Sequence, residues 1–421
     1  MTQRTFTRAL AAVLTVIVAA CSWAFVVRVR DGLGGTNLTN WIPWGLWVAF
    51  YIYFIGLSAG SFLLSTLVYV FGVEAFERVG RAALFTALVM LGVGLAFIML
   101  DLGHMERFIT VYTHPQFGSV LSWEILAYAV YIAIICTELW LLIRCDLAVL
   151  RDTTGGPLHL LYRLLALGTT DISPAARQRS QWWVTPVALV GLPVAIAVHG
   201  GTGAIFAVAK ARPFWFSALF PIVFIVSALA SGAGLLTAVH WVTGDRRDPN
   251  WGWRVRALGA LSVGMVAFDL LLLCSDVLVG LYSNIPEHME LYHTLLQGTF
   301  APIFWGWQIG LGALIPIALV LTFRDRPGAA ALAGMCVVLG TVAVRIDIVI
   351  PSLTIPALPG LEHALAHPRD AFTYFPSWVE LATSVGLIAA GGLGWLAGWT
   401  LLPLDAAPVS ASEERDLPVD L

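Results

Sequence analysis

Ten stretches of this 421-residue chain are apolar over lengths that cross a bilayer: 8–29, 44–71, 81–102, 120–144, 182–209, 214–243, 255–283, 297–322, 329–350 and 378–402. A helix of about 20 residues spans ~30 Å of hydrocarbon, so runs of this length call for membrane helices. Composition agrees, with 12% charged residues where a soluble domain carries about 25%, and with 59% apolar ones. A net charge of −3, with Lys210 the single lysine, also excludes a nucleic-acid binder. The expected fold class is an all-α integral membrane protein of about ten transmembrane helices.

The first run contains Val18-Ala19-Ala20-Cys21, which has the look of a lipoprotein cleavage box, but apolar residues continue to Val27. It is expected to be a first membrane helix rather than a removed signal. Cys21, Cys136, Cys145, Cys274 and Cys336 form no CxxC pair, and four of them lie inside apolar runs. They read as small hydrophobes, so no metal or iron–sulfur cluster is expected in the chain. No haem is expected either. Axial histidines must face each other at similar depth, and the mid-span pair His199 and His240 differ in depth.

Arginine placement sets the expected orientation. The side holding the N-terminus, every second loop and the C-terminus collects 16 Arg; the other side has 6 Arg or Lys, with Arg345 inside a span. The positive-inside rule then puts both termini in the cytoplasm. Tryptophans such as Trp44, Trp123 and Trp305 at one interface, and Trp140, Trp241 and Trp399 at the other, form the matching aromatic belts.

The chain divides into an N-terminal helix and outer loop (1–40), a first four-helix bundle (41–212) and a second (213–350). An outer cap with the last membrane helix (351–403) and a disordered cytoplasmic tail (404–421) follow. Residues 158–165 form an amphipathic stretch expected to lie on the membrane surface. The two bundles (spans 2–5 and 6–9) look like parallel copies, with one flanking helix at each end. Leu57-Ser58-Ala59-Gly60-Ser61-Phe62-Leu63-Leu64 resembles Leu229-Ala230-Ser231-Gly232-Ala233-Gly234-Leu235-Leu236, and Trp123-Glu124-Ile125 resembles Trp307-Gln308-Ile309. The small residues are expected to let helices approach closely.

Ionisable groups inside a bilayer cost roughly 2.5–3.5 kcal/mol each at mid-depth, so they face the bundle interior and usually act. Asp101, Glu124, His199, Asp276, Arg345, Asp347 and Glu380 all fall toward the outer leaflet. Two stripes lead inward from them. Glu124, Tyr128, Tyr131 and Glu138 share one helix face over roughly 21 Å of rise, and Asp269 and Asp276, seven apart, share another. These suit either a protonatable path or interior ion pairs and hydrogen bonds.

Several segments together resemble the NrfD/PsrC family, the membrane subunits of polysulfide-reductase-like complexes. They are Trp41-Ile42-Pro43-Trp44-Gly45-Leu46-Trp47 running to Gly56-Leu57-Ser58-Ala59-Gly60, Leu100-Asp101-Leu102-Gly103-His104-Met105-Glu106-Arg107-Phe108, and Ser122-Trp123-Glu124. Arg345-Ile346-Asp347 and Tyr374-Phe375-Pro376-Ser377-Trp378-Val379-Glu380 are similar to the ten-helix branch, with its HybB-type hydrogenase subunit and its ActC/ActF subunits of alternative complex III. His104 departs from the pattern, standing where many members carry Arg.

The resemblance implies a quinone-interacting subunit of a respiratory oxidoreductase in the bacterial cytoplasmic membrane, with menaquinone or ubiquinone as substrate and no redox cofactor of its own. It also implies an iron–sulfur subunit docked on the periplasmic side, with a molybdopterin enzyme, a hydrogenase or a multihaem cytochrome beyond it. Two-electron quinone chemistry moves two protons, which calls for acids or bases beside an apolar cleft. Asp101, His104, Glu124 and His199 are the expected quinone and proton-transfer shell. Tyr128, Tyr131 and Glu138 are the expected proton path. Asp269, Asp276, Arg345, Asp347 and Glu380 form a second path or structural pairs. A secondary transporter or ion channel is the alternative, since parallel repeats with buried charges suit that class too; a purely structural anchor is a third reading.

Overall fold

The computed structural model describes residues 3–358, 360–364 and 367–405. Its ten spanning helices are numbered here in chain order: α1 (Gln3–Asp31), α2 (Leu46–Tyr69), α3 (Glu77–Asp101), α4 (Val120–Thr153), α5 (Pro174–Ala207), α6 (Phe220–Thr243), α7 (Trp251–Tyr282), α8 (Pro302–Thr322), α9 (Pro327–Val349) and α10 (Trp378–Leu401). The chain is an all-α multi-pass membrane protein, as expected. An even number of spans leaves both described ends on one face, called here the termini face. The opposite one, which carries residues 351–377, is the cap face.

Helices α2–α5 pack together, α6–α9 pack together, and α1 pairs with α10, which leans on α3. In its most apolar stretch α2 is 94% buried while α1 is 11% buried, so α2 is the axis of the first bundle and α1 a lipid-facing flank. The two bundles meet chiefly where α2 crosses α6. A Cβ on Gly60 would fall on the carbonyl oxygen of Ala228, and one on Gly232 would strike the Gly60 backbone. Both glycines belong to the repeated segment, so the motif puts the helices in backbone contact, as small residues do in membranes.

Several helices outrun the apolar stretches that announced them, α4 and α5 by the most. Helices α4 and α5 have 34 residues each and α7 has 32, and the excess lies on the termini face for α4 and α5. Hydropathy stops at the first arginines, but a helix continues past the bilayer when its charges are paired. There Asp146 of α4 accepts from Arg81 of α3 at 2.7 Å and from Arg177 of α5 at 2.5 Å. The stretch 158–165 is a short helix, Pro157–Leu165, that buries Tyr162 and exposes Leu160 and Leu164. On the cap face, Arg212 donates to the carbonyls of Ser352 and Ile355, both at 2.8 Å, so the segment after α9 is held in place. The tail expected to be disordered lies, from 406 onward, outside the described residues.

Residues Pro302–Leu314 of α8 are π-helical, a winding that is rare except as short bulges at functional sites. Nothing in the sequence announced it.

Candidate functional site

The polar stripe of α4 points into the first bundle. Glu124, Tyr128, Tyr131 and Glu138 are each at most 2% exposed. Their spacing of four, three and seven keeps them on one face of a continuous helix. Tyr128 donates to Glu124 Oε1 at 2.8 Å, and the Thr202 hydroxyl from α5 reaches the same oxygen. Tyr51 of α2 stands 2.7 Å from the Tyr128 hydroxyl. Since Tyr128 spends its proton on Glu124, Tyr51 is the donor to Tyr128, and the hydroxyls form a relay ending on the carboxylate. Glu124 Oε2 is buried and has no partner.

Further along α4, Tyr131 donates to the Ser58 carbonyl at 3.3 Å. Both Glu138 oxygens are buried and unpartnered. No hydrogen bond links Tyr131 to Glu138, which lie about 10 Å apart along the helix axis.

Among the described residues, none of the other expected site residues hydrogen-bonds to the Glu124 cluster. Asp101 closes α3 at the cap face, with Oδ1 buried and unpartnered. Beside it Arg28 of α1 donates to the carbonyls of Leu100 at 2.8 Å and Leu102 at 2.6 Å, fixing the end of α3. His104, three residues on, does not join the buried shell. Its side chain is 64% exposed and pairs with Glu106 at 2.9 Å, because the chain leaves the bundle once α3 ends at Asp101. His199 is buried on α5 with both ring nitrogens unpartnered.

Arg345 of α9 is fully buried, donates to Ser227 Oγ at 3.1 Å and lies over the Phe224 ring at 4.5 Å. It pairs with no carboxylate within salt-bridge distance among the described residues. Asp269, Asp276 and Asp347 line one cavity of the second bundle. Glu380 caps its own helix. It accepts from Tyr374 at 2.5 Å, from the Ser377 N–H at 2.9 Å and from the Asn37 N–H at 3.1 Å, and it completes a capping box with Ser377. Tyr51 and Thr202 were not foreseen. Thr202 could have been, since it follows His199 by three residues and so shares its helix face; Tyr51 stands in a run apolar on all sides, which gives no signal.

Among the described residues no three His, Cys, Asp or Glu side chains gather closely enough to hold a metal ion. The geometry is that of buried carboxylates and hydroxyls set in apolar helices, able to accept, hold and pass protons.

The model of the polysulphide reductase NrfD family matches residues 34–357. The chain belongs to that family. Its curated relatives in the NrfD group are similar over nearly their whole length. A selenate reductase subunit of Mesobacillus selenatarsenatis is 41% identical over 86% of this chain and 86% of its own. A putative dimethyl sulfoxide reductase membrane subunit of Halobacterium salinarum is 31% identical over 96% of this chain and 92% of its own. The Hdr-like menaquinol oxidoreductase integral membrane subunit of Archaeoglobus fulgidus is 29% identical over 96% and 95%. The family expected from the motifs at 41–60, 100–108 and 122–124 is thus the family found, and its relatives are membrane subunits of oxidoreductases.

Proposed function

We propose that this chain is the quinol-oxidising membrane subunit of a reductase complex in the bacterial cytoplasmic membrane, with its cap face outward and both termini in the cytoplasm. The observation that carries the reading is Glu124: a carboxylate buried near the cap face, anchored through Oε1 by Tyr128 and Thr202, with Oε2 left free. A quinol losing two electrons releases two protons, and a fixed, desolvated acid with one open oxygen is suited to receive one of them. Asp101, at the same end of the neighbouring helix, receives the other through Oδ1. His199 offers a ring N–H to a quinone oxygen. The electrons leave to an iron–sulfur subunit docked on the cap face and pass to a catalytic subunit beyond it.

Similarity to the selenate reductase subunit favours an oxyanion or related respiratory acceptor as the final substrate. The excess of arginine on the termini face supports the orientation. Tyr128, Tyr51 and Tyr131 lead from Glu124 toward Glu138 and support a proton path directed inward, which needs water across the gap below Tyr131.

The test is Glu124→Gln in the complex purified from native membranes. The variant is expected to assemble with its partners and keep activity driven by an artificial soluble donor. Quinol-driven turnover should fall by about 10²-fold or more, the size of a lost acid–base group. Unchanged quinol turnover in an assembled complex would overturn the assignment, and a chain that purifies alone and binds no quinol analogue would favour a transporter.

A further inference from the structure

The second bundle carries a cleft, open at its mouth, between α6, α7, α8, α9 and the short helix Pro286–Leu296. Phe220, Phe304, Leu272, Leu273 and Ile348 supply apolar walls, and Asp269, Asp276, Gln308 and Asp347 supply polar groups. Asp276 already accepts from Tyr292 at 2.7 Å. The others are open: Gln308 Oε1, Asp269 Oδ1 and both Asp347 oxygens are buried with no hydrogen-bond partner. Gln308 and Asp347 are 8% and 5% exposed, so solvent does not serve them. A buried acceptor without a donor is unfavourable, and here four such atoms belong to residues that line one space. Every one of them accepts, so a molecule that fits must bring hydroxyl or N–H donors on an otherwise apolar body.

The internal repeat gives the same indication from a different direction. Trp307-Gln308-Ile309 on α8 repeats Trp123-Glu124-Ile125 on α4, so Gln308 occupies in the second bundle the place that Glu124 holds in the first. Asp276 lies near the cap-face end of α7, as Asp101 ends α3. The copy has kept the acceptors and exchanged the central acid for an amide, which binds a hydroxyl but takes no proton at neutral pH.

We infer that the second-bundle cavity is a second quinol-binding site, distinct from the one at Glu124. It rests on the reading of the chain as a quinol-handling subunit. Gln308 and Asp347 receive the hydroxyls of the quinol ring while the phenylalanine and leucine walls hold its apolar part. Two copies of one bundle thus hold two quinols, one beside an acid that accepts protons and one beside an amide.

The experiment is an equilibrium titration of the purified intact complex with a fluorescent hydroxyquinoline N-oxide, a donor-bearing quinol analogue. Wild type is expected to bind about two equivalents per chain. Gln308→Leu, which keeps the volume and removes the acceptor, and Leu273→Trp, which fills the cavity, should each weaken one class of site by roughly 10-fold or more and leave the other intact. Glu124→Leu, which removes the acceptor of the first bundle, should do the reverse. A single equivalent that responds to Glu124→Leu and ignores both cavity variants would sink the second site and leave the proposed function standing; the cavity would then hold water. A single equivalent that responds only to the cavity variants would support the cavity and remove Glu124 from quinol binding. No binding at all would overturn both.

Discussion

His199 and Arg345 come from different bundles and meet over Gly56. A Cβ at that glycine would lie 3.2 Å from His199 Cε1 and 3.4 Å from Arg345 Nη2. Three helices, α2, α5 and α9, therefore converge on one buried point where an imidazole ring faces a guanidinium. Helix α5 also packs against α4, which carries the polar stripe, and α9 contributes Asp347 and Ile348 to the cavity of the second bundle.

The glycine crossing makes the sharpest stability prediction. Gly60→Ala should destabilise the chain by about 1–3 kcal/mol, the cost of overpacking a close contact, since its Cβ would occupy the position of the Ala228 carbonyl. Gly264→Ala, where nothing stands within 4 Å of the added carbon, should be neutral or slightly stabilising. Thermal unfolding in detergent compares the two, and equal midpoints would remove the backbone contact between bundles.

Arg28 is predicted to fasten α1 to the end of α3. It donates to two carbonyls and lies 5.6 Å from the Trp47 ring centroid. Hydrogen bonds from a charged donor are worth roughly 1.5–3 kcal/mol each, so Arg28→Ala should lower the unfolding midpoint clearly. Arg28→Lys should recover only part of the loss, because an ammonium does not reproduce the guanidinium fork. A lysine variant as stable as wild type would show that charge alone is at work.

Orientation is tested with reporters. A fusion truncated after Thr113, on the cap face, should activate a phosphatase that works only outside the cytoplasm. A fluorescent protein that matures only in the cytoplasm should shine when joined to the C-terminus. The opposite pattern would reverse the arrangement and move the quinol site to the inner leaflet.

On the termini face, Asp248 between α6 and α7 gives a pH dependence. Burial pulls its pKa upward, but the Asn250 N–H and the Arg254 and Arg78 guanidiniums outweigh this and hold it below the ordinary carboxylate value. A depressed native pKa means stability that is complete above the unfolded value, about 3.9, and is lost as pH falls through the native one. Asp248→Asn should lower the unfolding midpoint at pH 7 and flatten its decline in acid. Equal midpoints at pH 7 would show that the ion pairs contribute nothing.

Much of this is legible in the sequence. Spans follow from apolar length, and the stripe from Glu124 to Glu138 follows from helical periodicity; both depend on one helix at a time. What escaped depends on neighbours. Gln308 registered only as an echo of Glu124, and its importance appears when Asp347 from α9 and Asp269 from α7 border the same cavity. His104 stands outside the buried cluster; a motif at a helix end does not tell which way the chain turns next. Glu380 was legible as a cap, since Ser377 precedes it by three residues at the start of an apolar run, yet a buried acid near other acids drew attention first. The π-helical turn of α8 has no signature in composition or period.

The meeting of Gly60 with Gly232 has a consequence for how such a chain can change over time. The joint between the halves needs only that these two positions stay without side chains, and it asks nothing of the polar residues either half carries elsewhere. One half is then free to trade an acid for an amide, as at Glu124 and Gln308, or to lose its ligand altogether, while the pair still assembles. A duplicated bundle held this way can let one copy keep an old task and the other drift toward a new one.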